Sequence, residues 1–155
     1  MATEDGRIDD IDVRIVAALQ EDGRRPYTEI ARDLGLSEGT VRQRASRLQR
    51  QEIVQIVAVI NPSRLGFRRL MIGVEVRGRP VSVVERAIRQ FEEIDYVAVC
   101  TGGPELLLLA TCRDDDHVLE LVSERLRKIA GIEALQVVSI LRETKDAYRY
   151  FGDLA

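Results

Sequence analysis

Between Tyr27 and Arg50 the chain reads Tyr-Thr-Glu-Ile-Ala-Arg-Asp-Leu, then Gly-Leu-Ser, then Glu-Gly-Thr-Val-Arg-Gln-Arg-Ala-Ser-Arg-Leu-Gln-Arg. Ile30, Ala31 and Leu34 recur on one side of a first helix. At about 100° per residue, Val41, Ala45 and Leu48 fall in one narrow stripe of a second. Two short amphipathic helices meeting at a tight, glycine-containing turn have the layout of a helix-turn-helix. Their seams must pack on each other and on a preceding helix.

Away from that stripe the second helix presents Gly39, Gln43, Ser46, Arg47 and Arg50, with Thr40 and Arg44 on one rim and Arg42 on the other. From Glu38 to Gln51 four arginines stand against one glutamate, a local +3 in a chain whose net charge is -3. Such a chain repels a polyanion except through this helix, and its electrostatic attraction is strongly salt-dependent. The Gln43 amide can grip an adenine edge at two points. Arg44 or Arg47 could read guanine or hold phosphate, and the sequence does not choose between these roles. Arg42 and Arg50 belong to the same basic face. Ser37 and Thr40 suit phosphate contact at the helix start, and Gly39 leaves room for close approach. An arginine run alone fits a solvated helix as well. The turn and the helix before it turn the reading toward double-stranded DNA.

Around this motif the periodicity places helix one from Asp9 or Asp10 to Asp22, on Ile8, Ile11, Ile15, Ala18 and Leu19, with Gly23 as its stop. Helix two runs from Tyr27 to Leu34. Ser37 caps helix three, which continues to about Gln51. Ile53 to Ile60 is β-branched and strand-like until Asn61-Pro62 breaks it. The chain then reads strand (Leu70 to Val76), helix (Val83, Val84, Ala87, Ile88, Phe91), strand (Ile94 to Thr101), strand (Glu105 to Cys112), helix (Val118, Leu119, Leu121, Val122, Leu126, Ile129) and strand (Ile132 to Arg142). This order is the ferredoxin-like pattern. The expected fold is α+β. An all-α, winged-type helix-turn-helix domain spans 1–52, a linker strand and turn 53–65, and a βαββαβ antiparallel-sheet domain 66–155.

Other chemistry is sparse. Cys100 and Cys112 lie too far apart along one hairpin to pair and read as small hydrophobes. His117, beside Asp114 to Asp116 at a helix start, reads as a solvated or capping residue. No metal-ligand cluster, phosphate loop or nucleophile with a base is evident, so neither enzyme nor cofactor is expected. The absence of a signal peptide or long apolar run points to the cytoplasm rather than a membrane.

The chain resembles the Lrp/AsnC (feast/famine) transcription regulators. The likeness rests on Ile8-Asp9, Asp12, Ile15, Asp22-Gly23-Arg24, Glu29-Ile30-Ala31, Leu36-Ser37, Val41, Arg44 and Arg47-Leu48. In the second half it rests on Asn61-Pro62, Leu65-Gly66, Thr101-Gly102 and Lys145. The resemblance implies a DNA-reading domain, a regulatory domain that pairs into homodimers and often octamers, and a small effector such as an amino acid. The effector would lie near the loop Thr101, Gly102, Gly103, Pro104 and Glu105, where glycine N–H groups could hold a carboxylate and Glu105 an ammonium group. Five positions depart from the family pattern. Glu105 stands where Asp is frequent, and Glu52 where glycine is usual, so the turn there is expected to be made differently. Pro26 replaces a Ser or Thr cap. Leu135 and Val137 stand where threonines would line the pocket, implying a more apolar one. An architectural DNA protein with little sequence preference is the rival reading, decided by whether the protein prefers its own upstream region over random DNA.

Overall fold

The computed structural model describes residues 8–145, so residues 146–155 of the expected regulatory domain lie outside the described part. The chain divides into two compact units, one reaching Val59 and the other running from Ile60 to Thr144.

The first unit holds three helices: α1 (Asp10–Glu21), α2 (Tyr27–Leu34) and α3 (Glu38–Arg50). Asp9 caps α1 in a reciprocal box: its carboxylate accepts from the Asp12 N–H at 2.9 Å, and the Asp12 carboxylate accepts from the Asp9 N–H at 3.2 Å. α2 begins after Pro26 with no side-chain cap. It ends on Gly35, whose left-handed φ of 66° lets the Leu36 N–H reach the Ala31 carbonyl at 2.8 Å. Ser37 caps α3 by accepting from the Thr40 N–H at 3.1 Å. Ile15, Leu19, Ile30, Ala31, Val41 and Ala45 form the core, and Leu48 is fully buried beside them. Among the described residues no strand accompanies these helices, so this stretch forms no wing.

Two sequence expectations change at the end of α3. The turn is made in the way a glycine would make it, but by a glutamate: Glu52 adopts φ 57°. The Ile53 N–H bonds the Leu48 carbonyl at 2.9 Å and the Glu52 N–H that of Gln49 at 3.1 Å, a Schellman closure. The segment Ile53 to Ile60 is not a strand. β-branched residues favour extended backbone, but a strand requires a neighbour's ladder, and none forms among the described residues. The Ile56 side chain instead packs over Gly23, where an added Cβ would sit 3.3 Å from the Ile56 methyl.

In the second unit Asn61 caps a short 3₁₀ turn (Pro62–Leu65). There follow β1 (Arg68–Val76), α4 (Val81–Ile88), β2 (Ile94–Val99), β3 (Leu106–Cys112), α5 (Asp115–Leu119) and β4 (Ile132–Ile140). α5 continues as a π-helical stretch (Glu120–Arg125) and a 3₁₀ turn (Leu126–Lys128). The sheet order is β2-β3-β1-β4, all antiparallel, as the ferredoxin-like reading requires. One face carries Leu70, Ile72, Val74, Leu106, Leu108, Ala110 and Cys112 against Val84, Ile88, Leu121, Val122 and Leu126 of the helices. Val83 and Leu119, expected in the helix seams, are exposed, and Val81 packs in place of Val83.

Cys112 is buried and free, and Cys100 is half-buried and free. Burial pushes the Cys112 thiol up. His117 does more than cap. Its Nδ1 accepts from the Arg113 N–H at 3.2 Å, so Nε2 carries the proton and donates to Glu93 at 3.0 Å. The Arg125 guanidinium bonds the same carboxylate while lying 4.6 Å over the Phe91 ring.

Candidate nucleic-acid interface and ligand loop

The stripe Val41, Ala45 and Leu48 is sealed in the core, so the remaining directions of α3 are fixed. Gln43, Gly39 and Arg50 face solvent. Among the described residues, Gln43 and Arg50 make no side-chain hydrogen bond or ion pair. Arg42 is exposed, pairs with Glu38 one turn earlier and lies 5.6 Å over the Tyr27 ring of α2. At the helix start the Ser37 and Thr40 hydroxyls bond each other at 2.8 Å.

Arg44 and Arg47 are placed otherwise. Asp12 is fully buried. One of its oxygens accepts from Arg44 Nη1 at 2.9 Å, and the other bonds the Arg47 guanidinium. Asp9 also accepts from Arg44, at 2.7 Å and 2.9 Å. Both arginines are therefore tied to the start of α1. The Asp12 N–H bond and the Arg44 guanidinium hold the Asp9 carboxyl below its usual range, and the two acids hold the Arg44 guanidinium above its own. The sequence marks Asp9 and Asp12 only as acids at the start of the first helix and does not show this pairing. The missed signal was acids three apart in α1 and arginines three apart in α3, each pair on one helical face.

The loop between β2 and β3 folds back on the sheet. Thr101, Gly102 and Gly103 are exposed, and Gly102 has φ 98°. Pro104, after a cis bond, lies over Gly73 in the middle of β1, on the face away from the helices. A Cβ at Gly73 would stand 2.8 Å from the proline ring. The Glu105 carboxylate accepts from the Val76 N–H at 3.0 Å, and the Glu105 carbonyl accepts from the Cys100 N–H at 2.8 Å. One Glu105 oxygen is thus committed to the backbone, leaving Oε1 for any ammonium group. Leu135 and Val137 stand opposite Val74 and Ile72 in the ladder, so both point to the helix-bearing face. Leu135 packs against the core there. Within one chain they do not share a surface with Pro104.

Two family descriptions match the chain: the AsnC-type helix-turn-helix domain over residues 8–49 and the Lrp/AsnC ligand binding domain over residues 69–150. An HTH-type transcriptional regulator of Pyrococcus furiosus is 35% identical over 140 residues, covering 89% of this chain and 94% of its own. The chain belongs to the Lrp/AsnC family of transcriptional regulators. Among solved structures, the leucine response regulatory protein of Mycobacterium tuberculosis is similar at 25% identity with a TM-score of 0.80, covering 90% of this chain and 96% of that one. A transcriptional regulator of Neisseria meningitidis solved with L-Met is similar at 24% identity and TM-score 0.79, covering 96% of this chain and 100% of that one.

This Lrp/AsnC regulator thus combines a DNA-binding helix-turn-helix with a ligand-binding domain, and its relatives are regulators rather than enzymes. Among the described residues no acid, histidine or cysteine cluster is placed to hold a metal ion. No helix among them is long and apolar enough to cross a membrane.

Proposed function

We propose that α3 reads a specific duplex with Gln43 at its centre, flanked by Gly39, Arg42 and Arg50, while Ser37 and Thr40 meet phosphate at the helix start. The observation that carries this reading is Gln43: an exposed amide with no partner among the described residues, on the face opposite the buried stripe. It can bond the N6 and N7 edge of adenine in the major groove. Binding would take place in the cytoplasm, to the regulator's own upstream region among others. Selection of bound sequences from a random duplex pool tests this. An enriched motif that Gln43→Ala loses supports the reading. Equal recovery of all sequences at physiological salt would make the protein an architectural DNA binder instead.

We also propose that an amino acid or related metabolite binds at the Thr101–Glu105 loop, whose exposed glycine N–H groups and the free Glu105 oxygen match a carboxylate and an ammonium group. The bound L-Met of the Neisseria relative supports that ligand class. Leu135 and Val137 would reach the loop only from another copy. Such a copy has a surface to dock on. Tyr96, Leu109, Met71 and Val138 form one apolar row in register across all four strands, on the face away from the helices. Tyr96, Met71 and Val138 are 50%, 39% and 56% exposed. A homodimer through this face, and an octamer of four dimers, is the assembly proposed. Calorimetric titration with the twenty amino acids tests the ligand. A response confined to small polar ones would count against an apolar pocket.

A further inference from the structure

We propose that Asp12 is a positioning residue for DNA recognition: with Asp9 it withdraws Arg44 and Arg47 from phosphate, so that α3 approaches DNA with little non-specific charge. The inference rests on α3 being the reading helix. Seen along α3 alone, four arginines stand against Glu38. Counted with Asp9 and Asp12, which the fold brings to within hydrogen-bond distance, four arginines meet three acids and the surplus falls to one.

The acids are not equivalent in strength. The Arg42–Glu38 pair is exposed on both sides, one turn apart, and is of the kind that contributes little. A phosphate can displace it readily. Asp12 is sealed from water and holds two guanidinium groups, one on each oxygen. Removing either guanidinium to a phosphate would leave a buried carboxylate under-satisfied, which is strongly unfavourable. The Arg47 Nε is itself buried without a partner, so this side chain is turned inward toward the acid. Arg42 and Arg50 are left as the mobile charge, and Gln43 as the uncharged reader between them. A helix so arranged gains little from an arbitrary duplex and depends more on its base contacts.

The test is the slope of log affinity against log salt on a random-sequence duplex, which counts phosphate contacts at about 0.9 each. Asp9→Asn keeps a good helix cap and so keeps the fold. Because Asp12 still holds Arg44, this change should raise the slope by less than about 0.9 per reading domain, the value for one fully released arginine and about eightfold in affinity between 1 M and 0.1 M salt. Asp12→Asn should raise it further, with thermal melting to verify folding. Adding Arg44→Gln to Asp9→Asn should return the slope to that of the natural protein. Asp10→Asn removes the same charge from an exposed neighbour and should leave the slope unchanged. An unaltered slope in both Asp9→Asn and folded Asp12→Asn, or an equal rise in Asp10→Asn, overturns the proposal. If replacing Arg42 and Arg50 together with Gln changes neither slope nor affinity, the docking of α3 itself is what fails.

Discussion

At the scale of single residues, three positions make sharp predictions. Gln43→Ala should weaken binding to the selected duplex by about 1–3 kcal/mol while leaving the salt slope intact, because an amide reads bases and releases no counterions. Fluorescence anisotropy across a salt series separates the two effects. Glu52 holds φ 57° without being a glycine. Glu52→Gly should therefore raise unfolding stability, by about 1 kcal/mol, since a left-handed side-chain residue gives way to one with no such penalty. Gly73→Ala should do the reverse. Its new methyl would collide with the Pro104 ring, costing about 1–3 kcal/mol or displacing the loop that carries it. Denaturant melts measure both. Of these residues the sequence marked Gln43 and Glu52 as informative. It could not mark Gly73, because the need for a glycine arises from a proline some thirty residues away that only the folded hairpin brings to it.

At the scale of elements, caps and seams decide what was legible. α2 and α3 were bounded closely because local chemistry sets them: Gly35 turns left-handed, Ser37 accepts from Thr40, and the stripe Val41, Ala45 and Leu48 faces inward. Ser37→Ala should remove about 1 kcal/mol of stability through the lost cap, readable by thermal unfolding. The segment from Ile53 to Ile60 forms no strand because strand propensity is an offer of pairing, and the partner is not encoded in the segment itself. Val83 and Leu119 stay exposed for a related reason. Periodicity shows an apolar arc, but the width of the surface that meets it sets how much is covered. The roles of Asp9, Asp12 and Glu105 were hidden because each depends on a contact made across the fold: α1 with α3, and a hairpin residue with the far end of β1.

At the scale of the whole molecule, acidity and assembly are the accessible observables. Glu93 links three parts of the regulatory unit, reaching His117 on α5 and Arg125 on the π-helical stretch. Burial alone would raise its pKa, but its backbone hydrogen bond and those from His117 and Arg125 outweigh that and hold it at about 2, against an ordinary 4.5. A depressed carboxyl contributes stability that is fully present above pH 4.5 and is lost as pH falls toward 2. Glu93→Gln should therefore be less stable near neutrality and should lose less stability than the natural protein across that acid window, as acid melts would record. Sedimentation of Met71→Lys should show smaller species if the apolar row is the dimer face. The Glu105 carboxylate on the Val76 amide has a practical consequence of its own. That proton is guarded by a side chain from the Thr101–Glu105 loop rather than by a neighbouring strand, so its hydrogen exchange is an intrinsic gauge of loop position. Watching one amide signal during titration would report occupancy of the loop with no label attached.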